Sequence, residues 1–107
     1  MMLYRYTQTK LAQIASELKQ TGLWSATAPS VEAMASTAPF ACDLMPFEQW
    51  LQFIFIPRMQ ALIDAGQALP SQIAIAPMAE HLWSEQAALA PLISTLNELD
   101  ILLNEPR

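Results

Sequence analysis

The chain has 107 residues, of which 53% are apolar and 14% charged, enough for one hydrophobic core and too few for two. A domain of this size buries roughly two-thirds of the surface its unfolded chain exposes, so neither a metal nor a disulfide is needed to hold it. Ten acidic against five basic side chains give a net charge of −5, too few cations to track a phosphate backbone, and direct nucleic-acid binding is disfavoured.

The opening MMLYRYTQTK lacks an apolar run of secretory length and a small-residue cleavage pattern, so no signal peptide is expected. From residue 7 to residue 20, Leu11, Ile14, Ala15 and Leu18 recur at the spacings of one helical stripe, with Gln13, Glu17 and Lys19 elsewhere. Gly22 stands where a left-handed closing residue is wanted, Leu23 is placed to fold back onto Leu18 in a Schellman ending, and Trp24 follows as an anchor. Residues 25–42 are rich in Ser, Thr, Ala and Pro, but Val31, Met34 and Phe40 supply apolar groups to bury. An ordered connection with one short helical turn capped near Ser30 is predicted.

Residues 44–63 approach the length of a membrane span, yet they carry Glu48, Gln49, Gln52, Arg58 and Gln60 together with Pro46 and Pro57, so a buried helix of a soluble protein is expected. This second long helix is predicted to start near Asp43 as N-cap, with Pro46 in its first turn, and to end near Ala65 with Gly66 closing it. Phe47, Trp50, Leu51, Ile54, Ala61, Leu62 and Ala65 share one face, and Glu48, Gln49, Gln52 and Gln60 lie opposite. Pro57 sits inside the helix and removes the hydrogen bond to the carbonyl of Phe53, so a kink between Phe53 and Pro57 is expected.

Residues 67–77 alternate Ile73 and Ile75 with small residues, but one strand without a partner is unstable, and a loop packed on the bundle is predicted. Pro77 can open a helical turn carrying Met78, Leu82 and Trp83. The last helix is expected from about residue 84 or 85 to residue 104, with Leu89, Leu92, Leu96, Leu99 and Leu103 as its stripe and Pro91 bending or breaking its first part. The residues thus describe an all-α domain of four main helices with a proline-kinked central helix.

Candidate chemistry is sparse. Two glycines, Gly22 and Gly66, leave no material for a phosphate loop, and no cofactor is expected. The single cysteine, Cys42, excludes an internal disulfide and a multi-cysteine metal site, points to the reducing cytoplasm, and is expected as a small buried apolar side chain. His81 beside Glu80 is no dyad by spacing, since neighbours on a helix point about 100° apart, and a surface or cap role is expected. Arg58 is the most informative residue, because a regular helix aims it into the stripe of Phe47, Leu51, Ile54 and Leu62. It is expected either in a structural pair with Asp43, Glu80 or Glu98, or with carbonyls freed by Pro57; the sharper alternative is a partly open pocket that receives a carboxylate or phosphate. Trp24, Trp50 and Trp83, with Phe40 and Met78, are read as core and seam residues, some of them forming an exposed apolar patch suited to a protein partner, a second copy included. Glu98, Asp100 and Glu105 are read as a solvated acidic end.

The run PFACDLMPFEQWLQFIFIPRMQALIDAGQALP, residues 39–70, followed by IAPMAE, residues 75–80, resembles the YqcC-like family of small bacterial proteins. The shared motif positions are Pro39, Phe40, Asp43, Trp50, Gln52, Pro57, Arg58, Met59, Pro70 and Pro77. The resemblance implies a four-helix up-and-down bundle with irregular connections and carries over no catalytic residue. In some bacteria of that family a neighbouring gene encodes a tRNA pseudouridine synthase, so the resemblance implies an accessory role in tRNA modification. The expectation is therefore a non-enzymatic interaction module, with Arg58, Asp43, Trp50, Phe40, Trp83 and Met78 as candidate ligand- or partner-binding residues, no metal, no membrane, and a protein partner.

Overall fold

The computed structural model describes residues 2–105, and the helices are α1 (Met2–Gln20), α2 (Val31–Met34), α3 (Phe47–Trp50), α4 (Ile56–Asp64), α5 (Ala76–Trp83) and α6 (Ala90–Asn104). A π-helical segment, Leu51–Phe55, joins α3 to α4 in one continuous rod, and short 3-10 turns, Pro39–Ala41 and Ala87–Leu89, precede α3 and α6. Four rods, α1, α3–α4, α5 and α6, build the bundle. Their directions follow from the contacts between them. Lys10 meets Glu98, Asp100 reaches the start of α5, Gln52 reaches Ser25 just beyond α1, and Tyr4 donates to the Gln67 carbonyl, so successive rods run up and down.

The helix ends obey local chemistry. Gly22 adopts φ +77, and the N–H groups of Leu23 and Gly22 return to the carbonyls of Leu18 and Lys19, the paired bonds of a Schellman ending. Gly66, at φ +66, does the same for α4, with Gln67 donating to Leu62 and Gly66 to Ile63. Ser30 caps α2 by accepting from Ala33 N–H at 3.1 Å. Residues 67–75 form a loop as predicted, and Pro77 lies in the first turn of α5. Pro91 likewise falls in the first turn of α6, so the last helix starts at Ala90 and not at residue 84 or 85. A proline there lacks only an N–H that would have had no partner.

The main core is a cluster that includes Leu11, Ile14 and Leu18 of α1, Leu51, Phe55 and Met59 of the central rod, and Leu92, Leu96, Leu99 and Leu103 of α6, all buried. Thr7 is fully buried on the same face of α1, and among the described residues its Oγ1 has no hydrogen-bond partner. An isolated buried hydroxyl costs free energy that a methyl group of the same shape does not. Thr7→Val is therefore expected to raise stability by about 1 kcal/mol, or a few degrees in Tm, readable by thermal or urea unfolding.

The central rod departs from expectation in three ways. First, it begins at Phe47, with Pro46 as its N-cap in extended backbone, and Asp43 is not the cap. Before it the chain makes a tight turn in which Phe40 and Ala41 both have positive φ, +57 and +49, a left-handed conformation that costs side-chain-bearing residues about 1–2 kcal/mol each. Asp43 instead accepts from Ser36 Oγ at 2.6 Å and ties this turn to the end of α2.

Second, the irregularity expected around Phe53 to Pro57 takes the form of a π-turn. Ile56 N–H donates to the Leu51 carbonyl, five residues back, and Pro57, which has no N–H to extend that ladder, falls in the first turn where α4 resumes. The buried positions Phe47, Leu51, Phe55 and Met59 are spaced by four. On an unbroken α-helix each such step drifts about 40°, and the wider π-turn absorbs the drift. Met59 thereby stays on the core face and Arg58 is turned to solvent.

Third, Gln52, which the helical pattern predicts on the polar face, is buried. Its amide accepts from Ser25 N–H and donates to Ser25 C=O, both at 2.8 Å, clamping the chain after α1 to the rod.

Candidate partner-docking surface

The structure unites some of the predicted site residues and separates others. Phe40 and Trp50 meet edge to face with ring centroids 4.9 Å apart, Phe40 meets Phe47 at 5.5 Å, Phe47 stacks near Trp50, and Trp83 tilts against Phe47 at 5.3 Å. Trp83 and Phe47 are buried, whereas Phe40 and Trp50 are half-buried at the outer side of this cluster. Such ring pairs each contribute about 1 kcal/mol beyond the area they bury, enough to hold Phe40 in its left-handed conformation. Trp83 is therefore a foundation and cannot touch a partner. Met78 is half-buried against the main core.

Arg58 is exposed, and among the described residues it has neither an ion pair nor a hydrogen bond. The expected buried pair with Asp43, Glu80 or Glu98 does not form: Glu98 holds Lys10 at 3.3 Å and Asp43 holds Ser36. Arg58 lines neither of two shallow grooves, so the partly open pocket expected around it is not found there. One groove, of about 410 Å³, lies between α1 and α6 and is lined by Tyr6, Lys10, Glu98, Ile101 and Leu102; the other runs along residues 71–74 and Asn104. The physical cause is the π-turn, which rotates every later side chain by about one residue, or 100°, relative to a regular helix.

Two further corrections concern polar groups. Cys42, expected inside, is exposed. Asp100, expected in a solvated acidic end, is buried, with 7% of its surface accessible. Its carboxylate accepts from Ile75 N–H at 2.9 Å and Ala76 N–H at 2.8 Å. Ile75, the residue at the N-cap of α5, has no polar side chain, so α6 supplies the missing cap and places a negative charge at the positive end of α5. One turn on, the Asn104 amide accepts from Ile73 N–H and donates to Ile73 C=O. A carboxylate and an amide four residues apart, set within the leucine stripe of α6, were the signal that could have exposed this strap.

Among the described residues no group of His, Cys, Asp or Glu is arranged to hold a metal, and no helix is long and apolar enough to cross a membrane. His81 is exposed in the last turn of α5. What the fold does present is apolar surface. Val31, Met34 and Leu44 are exposed, Val31 by 88%, on a segment that Ala33, Ala41 and Met45 pin to Trp50 and Ile54 through a small core of their own. Val31 and Met34 were expected to be buried. Only Ala33 of α2 faces inward, because the four-residue helix offers the turn beneath it a single small side chain. Phe40, Trp50, Asp43 and exposed Cys42 adjoin in sequence or by contact. Of the residues read for an exposed apolar patch, Trp24 is exposed, Phe40, Trp50 and Met78 are half-buried and Trp83 is buried; the large apolar side chains that residues 31–50 expose are Val31, Met34 and Leu44 instead.

Comparison with known proteins agrees with this architecture. The family profile described as DUF446, tRNA pseudouridine synthase C, matches residues 6–102. A Haemophilus influenzae protein is 43% identical over 98 residues, spanning 92% of each chain. Protein YqcC of Escherichia coli is 34% identical over 94 residues, spanning 87% of this chain and 86% of that one. The solution NMR structure of E. coli YqcC superposes with a TM-score of 0.87 at 30% identity, covering 100% of this chain and 92% of the other. A tRNA pseudouridine synthase C of Pectobacterium carotovorum is 45% identical over 60 residues, which are 56% of this chain and 16% of that protein. The resemblance seen in residues 39–70 and 75–80 therefore extends over the whole bundle, and the chain belongs to the YqcC-like, DUF446, family.

Proposed function

We propose that the domain is a non-enzymatic, cytoplasmic interaction module that docks on a tRNA-modifying enzyme of the pseudouridine synthase class. The observation that carries this reading is the apolar exposure along residues 31–50, where Val31, Met34 and Leu44 stand in solvent on a segment that packs through a small core of its own. Exposing several large apolar side chains on one pinned segment costs solubility, and a partner that covers them offsets that cost. The class of partner is supported by the Pectobacterium protein, in which a segment like this one is part of a chain named tRNA pseudouridine synthase C.

The groove between α1 and α6 is a weaker candidate because the Lys10–Glu98 ion pair spans it. Affinity capture of the full chain at native expression, from cells of its own organism, tests the reading. A tRNA pseudouridine synthase is expected to co-purify, and the variant carrying Val31→Asp and Leu44→Asp is expected to lose it while keeping its helical circular dichroism. Absence of any synthase from the wild-type capture, or equal recovery with the variant, overturns the proposal.

A further inference from the structure

The surface of residues 31–50 also has a sign. From residue 20 to residue 57 the sequence contains no Lys or Arg, while Glu32, Asp43 and Glu48 fall in that interval. Glu32 and Asp43 are exposed and Glu48 is half-buried in the first turn of α3. None of the three is in an ion pair among the described residues, where the one pair is Lys10 with Glu98. The cations of the described residues lie on other elements, with Arg5, Lys10 and Lys19 on α1 and Arg58 on α4. Lys19 is itself engaged over the Trp24 ring at 4.7 Å. Along the chain, exposed Val31 and Leu44 each adjoin an exposed carboxylate, Glu32 and Asp43, that is in no ion pair among the described residues.

Resting on the docking reading above, we infer that this surface takes a cationic protein segment, one that inserts apolar anchors between Lys or Arg side chains. The charge balance selects the class of occupant. A polyanion such as RNA, or an anionic bilayer, meets repulsion from Glu32, Asp43 and Glu48 just where Val31, Met34 and Leu44 would have to be covered. A second copy of the chain meets the same acids from the other side, since the segment has no cation to offer its twin. Basic side chains flanking apolar anchors satisfy both features, and complementary charge speeds the encounter as well as fixing register.

Cys42, the single cysteine and exposed beside Asp43 and Leu44, supplies the readout. The experiment measures alkylation of the native thiol by iodoacetamide with and without a synthetic amphipathic Leu/Lys peptide, a Leu/Glu peptide of equal length, and bulk tRNA. The Leu/Lys peptide is expected to slow alkylation about threefold or more at low salt. Protection should fade towards 1 M salt, where the screening length shrinks to about 3 Å. Neither the Leu/Glu peptide nor tRNA is expected to protect. The variant Glu32→Lys with Glu48→Lys should lose the protection while its free thiol reacts at the wild-type rate. Equal protection by both peptides, protection by tRNA, or none from the Leu/Lys peptide overturns the inference. The capture experiment above fails or succeeds independently, because it asks for a particular enzyme and this one asks only for a charge class.

Discussion

Asp100→Ala is expected to lower stability by about 3 kcal/mol, because it strips the acceptor from two N–H groups and removes the negative charge from the start of α5. The two donors, Ile75 and Ala76, are themselves buried, so water cannot replace the carboxylate without opening the seam between α5 and α6. Against a total stability of about 5–15 kcal/mol for a domain, that is a large share, and Tm should fall by roughly 10–15 °C. Asp100→Asn keeps one acceptor and is expected to lose about half as much. The effect reaches the proposed docking surface through packing, since α5 carries Trp83, Trp83 packs on Phe47, and Phe47 supports Phe40. Urea unfolding of both variants checks the size and the order. A loss for Asp100→Ala within about 0.5 kcal/mol, the range of ordinary surface substitutions, would show that the cap carries no weight.

Met59→Arg is expected to unfold the protein or to cost about 4 kcal/mol or more, while Arg58→Met next to it changes stability by no more than about 0.5 kcal/mol. The contrast follows from the phase of the central rod. Met59 has 1% of its surface exposed among Leu51, Phe55 and the leucines of α6, and nothing there can pair with a guanidinium. Arg58 stands in solvent without a partner. A straight α-helix predicts the reverse order, with position 58 intolerant of change, so the two variants report directly on the π-turn. Circular dichroism and thermal unfolding of each suffice. If Met59→Arg folds with near-native stability, the phase assigned to α4 is wrong.

Much of the bundle was legible in the residues. Gly22 and Gly66 marked two helix ends because positive φ is cheap only for glycine, and each closes a Schellman motif. Ser30 marked a cap, and the leucines of α6 marked a buried stripe, because both signals act over a turn or two of chain. Legibility failed where one element answers a need in another. Gln52 and Asp100 look like surface residues until the loops they clamp are brought against them from 27 and 25 positions away. The start of α3 was misplaced for a similar reason. Asp43 is a good cap by type, but Phe40 found its ring partners Phe47 and Trp50, and the left-handed turn that this packing enforces moved the helix start to Phe47.

The candidate site residues read from the sequence are spread by the fold over different depths. Phe40 and Trp50 lie half-buried at the outer side of the ring cluster and Asp43 is exposed nearby in the chain, whereas Trp83 is buried beneath the rings, Met78 packs against the main core and Arg58 stands in solvent. Composition and local periodicity alone settled the all-helical class, the helix-ending glycines and the acidic balance, since these depend on short-range geometry and summed charge. Tertiary structure decided which side of the central rod faces the core, which polar groups are buried, and that Val31, Met34 and Leu44 meet water. The reason is physical: a single π-turn shifts the register of a whole helix, and its sequence trace is no more than a proline in an apolar run that an ordinary kink would have accommodated equally well.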